Sequence, residues 1–301
     1  ELIESILMGI PIPLMYLFED KNGKKQVVDG RQRISAILDF LEGKFKLNNL
    51  RILKQFNGCC FADLDLKQQG VIEDFQLLFY IIQPPTPERV KYDIFDRVNR
   101  GGTPLNKQEM RNALYRGRCT RMLDKLCCSP EFLIATGRSI NKERMKDQYV
   151  VLRAMAFLML HRGEFKDIPA LQYRGDIDDF LARFMVYVND NAPEKLIVDY
   201  ENLFIRCMQI SYDLLGENGF RFSGNGIRRP INMPLFEALS YLFSFVPEKI
   251  DYTWASRLIL DIESVKEEFD DSRYFSGNID STTSVSFRFD RMDKIINRIQ
   301  L

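Results

Sequence analysis

The sequence predicts an α+β protein in which an α/β head over residues 1–115 precedes an all-helical region over residues 116–301. Strand and helix patterns alternate through the head, and the strand patterns fade beyond it. At 301 residues with 46% hydrophobic content, the chain is long enough to bury one large core or two packed ones. No low-complexity linker separates the two parts, so we expect them to share a packed interface.

The head opens with a helix, two strands and a second helix. In "ELIESILMGI" the apolar residues follow helical spacing. Two prolines suit "PIPLMYLFED" to an extended strand, and Asn22 with Gly23 predicts a hairpin turn into a second strand, "KQVVDG". The apolar residues of "RQRISAILDFLEGKF" again follow helical spacing, and Gly43 predicts the end of that helix.

The remainder of the head predicts a third strand and two more helices. "FQLLFYIIQ" is a nearly continuous apolar run, which is typical of a strand buried on both faces. "TPERVKYDIFDRVNRGG" predicts a helix with Thr86 as its cap and Pro87 in its first turn. "NKQEMRNALYRG" predicts the next helix, with Asn106 and Glu109 in the positions of a capping box.

Six helical segments are predicted in the second region. They are "DQYVVLRAMAFLMLH", "DIDDFLARFMVYVND", "PEKLIVDYENLFIRCMQISYDLLG", "MPLFEALSYLFSFV", "DYTWASRLILDIESVKEEF" and "SFRFDRMDKIINRIQL". Arg153 lies inside the first of these, an apolar helix. Because a charged side chain is rarely buried without a partner, we expect it to pair with a buried carboxylate.

Composition and motifs exclude several classes of protein. There is no G-x-x-x-x-G-K-[ST] phosphate loop. The single histidine, His161, ends an apolar helical run, where we expect a capping or surface role for a cation. Histidine-rich metal sites and Ser-His-Asp triads are therefore largely excluded. Six cysteines without zinc spacing predict reduced thiols in a cytoplasmic protein.

Charge and length say little about partners. Lysine plus arginine (42) equals aspartate plus glutamate (42), so DNA binding would need a local basic patch. The loops "RFSGNGIRRP" and "NKERMKD" are candidates, although solvated charge is the commoner explanation. No apolar run reaches membrane-spanning length. The chain starts at Glu1 without a signal-peptide pattern, so we expect it to be a fragment.

The turn between the second strand and the second helix concentrates polar side chains. The strand ends at Asp29, Gly30 permits a tight turn, and the helix opens with Arg31, Gln32 and Arg33. A helix N-terminus favours anions, so arginines in the first turn run against the helix dipole unless a phosphate chain binds there. The alternative is a structural Asp–Arg pair that holds the turn. The residues alone leave both open.

A second polar cluster lies at the end of the head. It comprises Asp96, Arg97, Asn99 and Arg100 at the end of one predicted helix, Gly101 and Gly102 in the loop, and Glu109, Arg111 and Asn112 on the next helix. Arginines near a helix C-terminus are ordinary dipole partners. The density of polar residues around a glycine pair is less ordinary. Two such clusters in one head predict a single polar site made from both.

Several segments together resemble a known family. "LIESILMGIPIPLMYLFED", "VVDGRQRISAILDFLEGKF" and "IFDRVNRGGTPLNKQEMRNALY" resemble the GmrSD-type restriction protein N-terminal domain family, which has an Asp-Gly-Gln-Gln-Arg motif. "RMKDQYVVLRAMAF" and "STTSVSFRFDRM" resemble its later segments. Asp29, Gly30, Gln32 and Arg33 match the motif, whereas Arg31 replaces its first glutamine. The family's head resembles the ParB and sulfiredoxin fold, whose strand–Gly–Arg–helix turn holds nucleotide phosphates.

The resemblance implies a site for a nucleoside triphosphate with Mg²⁺, whose base the sequence does not identify. Asp29, Arg33 and Asp96 would be catalytic, and Asp29 and Asp96 would also bind the metal. The residues expected to bind the nucleotide are Gly30, Arg31, Gln32, Arg33, Arg97, Asn99, Arg100, Gly102, Glu109, Arg111 and Asn112.

The implied function is nucleotide binding and hydrolysis in bacterial DNA restriction or antiphage defence. Expected partners are the nucleotide, DNA through local basic loops, and a partner nuclease subunit, with no membrane. Three alternatives stay open: a nucleotide-gated DNA-binding module without turnover, a metal-dependent nuclease subunit, and a scaffold whose polar turn is structural.

Overall fold

The computed structural model describes residues 1–19, 23–83, 94, 105–224, 228–247, 251–275 and 277–299. The chain divides into two compact units, Glu1–Pro104 and Leu105–Leu301. The first contains strands and helices and the second is helical, so the predicted α+β class is confirmed. The helix predicted in "TPERVKYDIFDRVNRGG" lies outside the described residues.

The first unit follows the predicted order of elements. Its helices and strands are α1 (Leu2–Leu7), β1 (Met15–Glu19), β2 (Lys25–Asp29), α2 (Arg31–Leu41), α3 (Leu66–Glu73) and β3 (Phe79–Ile82). Short 3₁₀ turns, Lys54–Phe56 and Phe61–Asp63, lie between α2 and α3. The core includes Ile3 and Ile6 of α1, Ile37 and Phe40 of α2, and Ile72 of α3. Apolar residues at helical spacing therefore place one face of each helix in this core.

The three strands form one sheet in the order β2-β1-β3. β1 pairs with β2 in the antiparallel sense and with β3 in the parallel sense. Tyr16 of β1 lies opposite Asp29, the last residue of β2. The central strand therefore fixes the point at which β2 ends and α2 begins.

β3 forms as predicted, but the expectation that it is buried on both faces is wrong. Phe79, Tyr80 and Ile81 are exposed, and Ile82 is the buried residue of the strand. β3 lies at the edge of the sheet. The core cluster of α1, α2 and α3 contains no β3 residue among those described. An apolar run thus indicates a strand without showing what covers it.

The second unit consists of nine helices in the described part of the chain. They are α4 (Lys107–Leu114), α5 (Arg118–Cys127), α6 (Pro130–Ala135), α7 (Lys146–His161), α8 (Ile177–Asp190), α9 (Glu194–Leu215), α10 (Met233–Phe243), α11 (Tyr252–Asp271) and α12 (Thr282–Ile299). All six predicted helices are confirmed. α7 is buried almost throughout and packs against α5, α8 and α10, while α10 also packs against α12.

One buried carboxylate joins three helices of this unit. Glu237 of α10 is fully buried and accepts hydrogen bonds from Arg153 of α7 and from Arg288 of α12. The Arg288 contact measures 3.1 Å. Arg153 also donates to Asp280 Oδ1 at 2.6 Å. The expected pairing of Arg153 with a buried carboxylate is confirmed, and Glu237 serves two buried guanidinium groups.

The expectation for His161 is wrong. His161 does end α7, but its ring stacks on Phe289 with 3.6 Å between ring centroids. Burial, aided by the positive charge of Arg288, lowers its pKa from 6.5 to about 4. The imidazole is therefore neutral near pH 7 and cannot act as a cationic helix cap. Its position at a helix end suggested a cationic cap. Packing against an aromatic ring of α12 instead keeps the imidazole neutral.

We expect Glu237→Gln to lower the free energy of unfolding of the second unit by about 3–5 kcal/mol, because it leaves buried guanidinium charge uncompensated. Trp254, the single tryptophan, lies in α11, so its fluorescence during urea titration reports on this unit. Glu268→Gln is the control, since Glu268 pairs with Arg291 at a half-exposed position. Its expected cost is below about 1 kcal/mol. Equal losses in the two variants would contradict this account.

We expect the second unit to lose stability as the pH falls from 7 to 5. The folded-state pKa of His161 lies below its unfolded value, so the unfolded state binds the proton first and stability is lost through this range. The expected loss from this residue is about 2 kcal/mol. His161→Phe preserves an aromatic ring without a titrating group. Urea titrations at both pH values should show a shallower pH dependence in that variant, and identical dependence would refute the assignment.

Candidate functional site

The turn between β2 and α2 can be formed only by glycine. Gly30 has φ 93° and ψ 5°, in the left-handed region that L side chains rarely adopt. A Cβ atom at Gly30 would clash with the Met15 side chain on the neighbouring strand. The tight turn predicted from the sequence is therefore confirmed, and two separate physical reasons require glycine.

The N-terminus of α2 leaves its first backbone N–H groups available. Gly30 occupies the cap position, and in the described part of the chain no side chain caps this helix. α3 in the same unit differs, because Asp65 Oδ1 accepts a hydrogen bond from the Gln68 amide at 2.9 Å. The first turn of α2 also lacks an acidic residue. Its positive end is thus unneutralised, which favours an anion.

Arg33 is held in place by two contacts. Its guanidinium forms an ion pair with Asp29 Oδ2, and its Nη1 donates to the Pro13 carbonyl oxygen at 2.6 Å. Both charged side chains are 24% exposed. These contacts link the entry to β1 with the start of α2. The structural Asp–Arg pair considered from the sequence is therefore present.

Arg31 and Gln32 differ from Arg33 because their side chains are exposed. Neither side chain forms a hydrogen bond or ion pair with any residue that the structure describes. Within the same described ranges, Asp29 Oδ1 also has no hydrogen-bond donor, since Arg33 contacts Oδ2. The turn therefore offers one guanidinium, one amide and one carboxylate oxygen in addition to the helix amides.

The predicted second cluster is described only in part. Asp96, Arg97, Asn99, Arg100 and Gly102 lie outside the described residues, whereas Glu109, Arg111 and Asn112 lie on α4 in the second unit.

The predicted capping box at the start of α4 is confirmed. Asn106 Oδ1 accepts from the Glu109 amide at 2.9 Å, and Glu109 Oε2 accepts from the Asn106 amide at 2.7 Å. The same Glu109 oxygen accepts from Arg144 Nη2 at 3.1 Å. The Glu109 carboxylate is thus engaged in holding the first turn of α4.

The other two α4 candidates also have partners within the helical unit. Arg111 is buried, and its Nη1 donates to Asp178 Oδ1 at 2.8 Å. Its guanidinium carbon lies 5.2 Å from the centre of the Tyr149 ring. Asn112 Oδ1 accepts from Gln108 Nε2 at 2.8 Å, and its amide nitrogen donates to Gln148. These contacts tie α4 to α7 and α8.

The turn at the start of α2, residues 29–33 (the α2 turn), has one carboxylate that could bind a magnesium ion, that of Asp29. Among the described residues no group of three or more histidine, cysteine or acidic side chains is arranged to hold a metal. Magnesium is commonly held by one or two carboxylates together with substrate phosphates. Asp29 Oδ1 therefore fits as a single protein ligand.

Comparison with known proteins found one family that matches the chain. Residues 1–116 match the family model described as the GmrSD restriction endonuclease, N-terminal domain. This part of the chain is therefore similar to the GmrSD N-terminal domain. The family inferred from the sequence is thus confirmed, and the GmrSD match spans β2, the α2 turn and α4. No curated protein and no solved structure matches the chain. In the described ranges, no helix has the length and apolarity needed to cross a membrane.

Two contacts of the α2 turn could not be predicted from the sequence. The Pro13 carbonyl that binds Arg33 belongs to a segment identified only as a strand entry. Met15, which contacts Gly30, carries no motif signal. Both contacts depend on the pairing of β1 with β2, which brings the two segments together.

We expect Gly30→Ala to destabilise the first unit by about 2–4 kcal/mol, because it combines a strained φ with a clash against Met15. Gly43→Ala is the matched control. Gly43 also has a positive φ, of 70°, but an added Cβ meets nothing within 4 Å. Its expected cost is about 1 kcal/mol. Amide hydrogen exchange in β1, β2 and α2 measures the loss of stability in both variants. Similar losses would show that the clash with Met15 does not contribute.

Proposed function

We propose that the α2 turn, residues 29–33, binds the phosphates of a nucleoside triphosphate, and that the chain hydrolyses this nucleotide in bacterial DNA restriction or antiphage defence. The GmrSD N-terminal domain supports the restriction and defence part of the proposal. The proposed head arrangement is ParB- or sulfiredoxin-like. The strand–Gly–helix order of β2, Gly30 and α2 is consistent with it.

The observation that carries the proposal is the uncapped start of α2 with the exposed Arg31 beside it. Exposed arginine in the first turn is unfavourable in the free protein, because both the helix dipole and the guanidinium are positive. A phosphate chain would neutralise both and accept hydrogen bonds from the helix amides. A cation at this position that has no ion pair among the described residues is therefore better explained by a bound anion than by packing.

The residues of the turn would have distinct roles. Arg31 and the first amides of α2 would bind phosphate oxygens, and Gln32 would add an uncharged donor. Arg33, oriented by Asp29 and the Pro13 carbonyl, would present its guanidinium to developing phosphate charge. Magnesium bound with the nucleotide would neutralise phosphate charge, and Asp29 Oδ1 would hold it.

Several parts of the proposal extend beyond the described residues. Asp96 is proposed as the second metal ligand, and the segment of Arg97, Asn99, Arg100 and Gly102 is proposed to complete the phosphate site. DNA and a partner nuclease subunit remain proposed partners.

One observation favours a different function. The Asp29–Arg33 pair and its Pro13 contact suffice to hold the turn, so the chain could be a scaffold that binds no nucleotide. Arg31 separates the two functions, since its side chain forms no hydrogen bond or ion pair with the described part of the protein.

We expect one nucleotide among ATP, GTP, CTP and UTP, with Mg²⁺, to raise the melting temperature of the chain, because a ligand of the folded state stabilises it by mass action. Arg31→Glu should weaken binding about tenfold or more, which removes about 1.4 kcal/mol of that stabilisation. The same change should leave the free protein as stable or slightly more stable, since acid suits a first helical turn.

Lys67→Glu is the matched control. Lys67 is an exposed cation in the first turn of α3, which Asp65 caps, so an identical charge change should leave nucleotide binding intact. Release of inorganic phosphate then separates hydrolysis from nucleotide gating. The scaffold function predicts no shift from any nucleotide, and equal binding by the two variants would refute the α2 turn as the site.

A further inference from the structure

The second unit contains a basic cleft whose residues lie far along the chain from the α2 turn. It has a volume of about 720 Å³ and lies at the end of α9, between the loop that follows it and α11. Pockets of this size commonly accept ligands of nucleotide dimensions. Residues 221–224, 228 and 229 of the basic loop supply part of its wall. The rest of the wall comes from the end of α9, from the residues that follow it and from α11. The sequence analysis did not associate these segments with the basic loop.

The cleft carries a net positive charge. Its lining includes the cations Arg221, Arg228, Arg229 and Lys266 and the acids Glu217 and Glu263. Four positive groups, set against Glu217, Glu263 and the Asp270 that pairs with Arg229, leave a charge of +1, whereas the whole chain has a net charge of zero. The excess is thus a local property of this cavity, and walls of low dielectric strengthen its field.

Two of the cations are buried and fixed. Arg221 is 4% exposed and donates to the Glu217 and Thr136 carbonyl oxygens, each at 3.2 Å, and to Ser139 and the Arg229 carbonyl. It therefore holds the loop. Lys266, also 4% exposed, donates to Glu263 Oε1 at 2.9 Å and to the Asn218 carbonyl at 3.3 Å. An ammonium group has three donors, so these two contacts with described residues leave one for a ligand.

The other two cations lie at the rim in ion pairs that a ligand can exchange. Arg228 pairs with Glu217 at 2.6 Å, and their side chains are 45% and 52% exposed. Arg229 pairs with Asp270 and lies over the Phe222 ring at 5.3 Å. Exposed pairs contribute little stability, so a dianion can compete with either carboxylate at small cost. Phosphate is favoured because arginine binds it in bidentate geometry.

We propose that this cleft is a second anion site, which binds the phosphate of a free nucleotide or of a nucleotide unit in a nucleic-acid strand. Arg228 and Arg229 bind the phosphate at the rim, and Lys266 binds it from the floor. Glu217 holds Arg228 until the ligand arrives, so it opposes binding. The site depends on no residue of the α2 turn.

The test uses the full chain carrying Arg31→Glu, so that the contribution of the α2 turn is reduced. A short fluorescein-labelled single-stranded oligonucleotide is titrated by fluorescence anisotropy at several salt concentrations, with an unlabelled nucleoside monophosphate as competitor. Arg228→Gln should weaken binding by about fivefold to tenfold and lower the salt slope by about one. Glu217→Gln should tighten binding, because it frees Arg228 and removes a negative charge.

Arg298→Gln is the control, since Arg298 forms an exposed pair with Asp261 outside the cleft and should bind as the parent does. Displacement by the monophosphate identifies a free nucleotide as the ligand, and its absence identifies the strand; both support the cleft. The proposal is overturned if the parent chain binds neither probe, or if Arg228→Gln and Glu217→Gln bind as the control does. Loss of the α2 site would leave this result unchanged.

Discussion

The geometry of the first unit depends on one backbone constraint, the passage from β2 to α2 through a single left-handed residue. Gly30 packs directly against Met15, so the strand end and the helix start cannot move apart independently. The adjoining Asp29–Arg33 pair and the Pro13 carbonyl fix the same turn with charge and hydrogen bonds. The backbone therefore presents the first amides of α2, which no described side chain caps, beside Arg31 and Gln32, whose side chains have no polar partner among the described residues. Such preorganisation suits a site for an anion.

The arginines of the chain perform two different physical tasks. Arg111, Arg153 and Arg288 are buried with carboxylate partners and hold helices of the second unit together. Arg31 and Arg228 are exposed and stand where an anion can reach them. In the sequence these two groups are not distinguished, because both are arginines in predicted helices or polar loops. Burial and partners, rather than local density of charge, distinguish packing from binding.

Local patterns predicted most of the fold. Helical spacing identified the six later helices, and the capping box of Asn106 and Glu109 is formed by the atoms that its spacing suggests. What failed depends on distant residues. The exposure of β3 follows from the position of the core, and the neutral state of His161 follows from packing against Phe289 and Arg288. At the candidate site, Asp29 and Gly30 were predictable from the strand–helix junction, whereas Met15 and Pro13 required the strand pairing.

The sharing of Glu237 between two guanidinium groups also constrains how this protein can diverge. Removing any one of Arg153, Glu237 and Arg288 leaves the other two with a different net charge around them in the core. Substitutions at these three positions therefore cannot be accepted independently, although they lie on separate helices. Related chains should keep the set or replace it together with apolar residues. Covariation among these positions of α7, α10 and α12 would be the evolutionary signature of a single buried carboxylate.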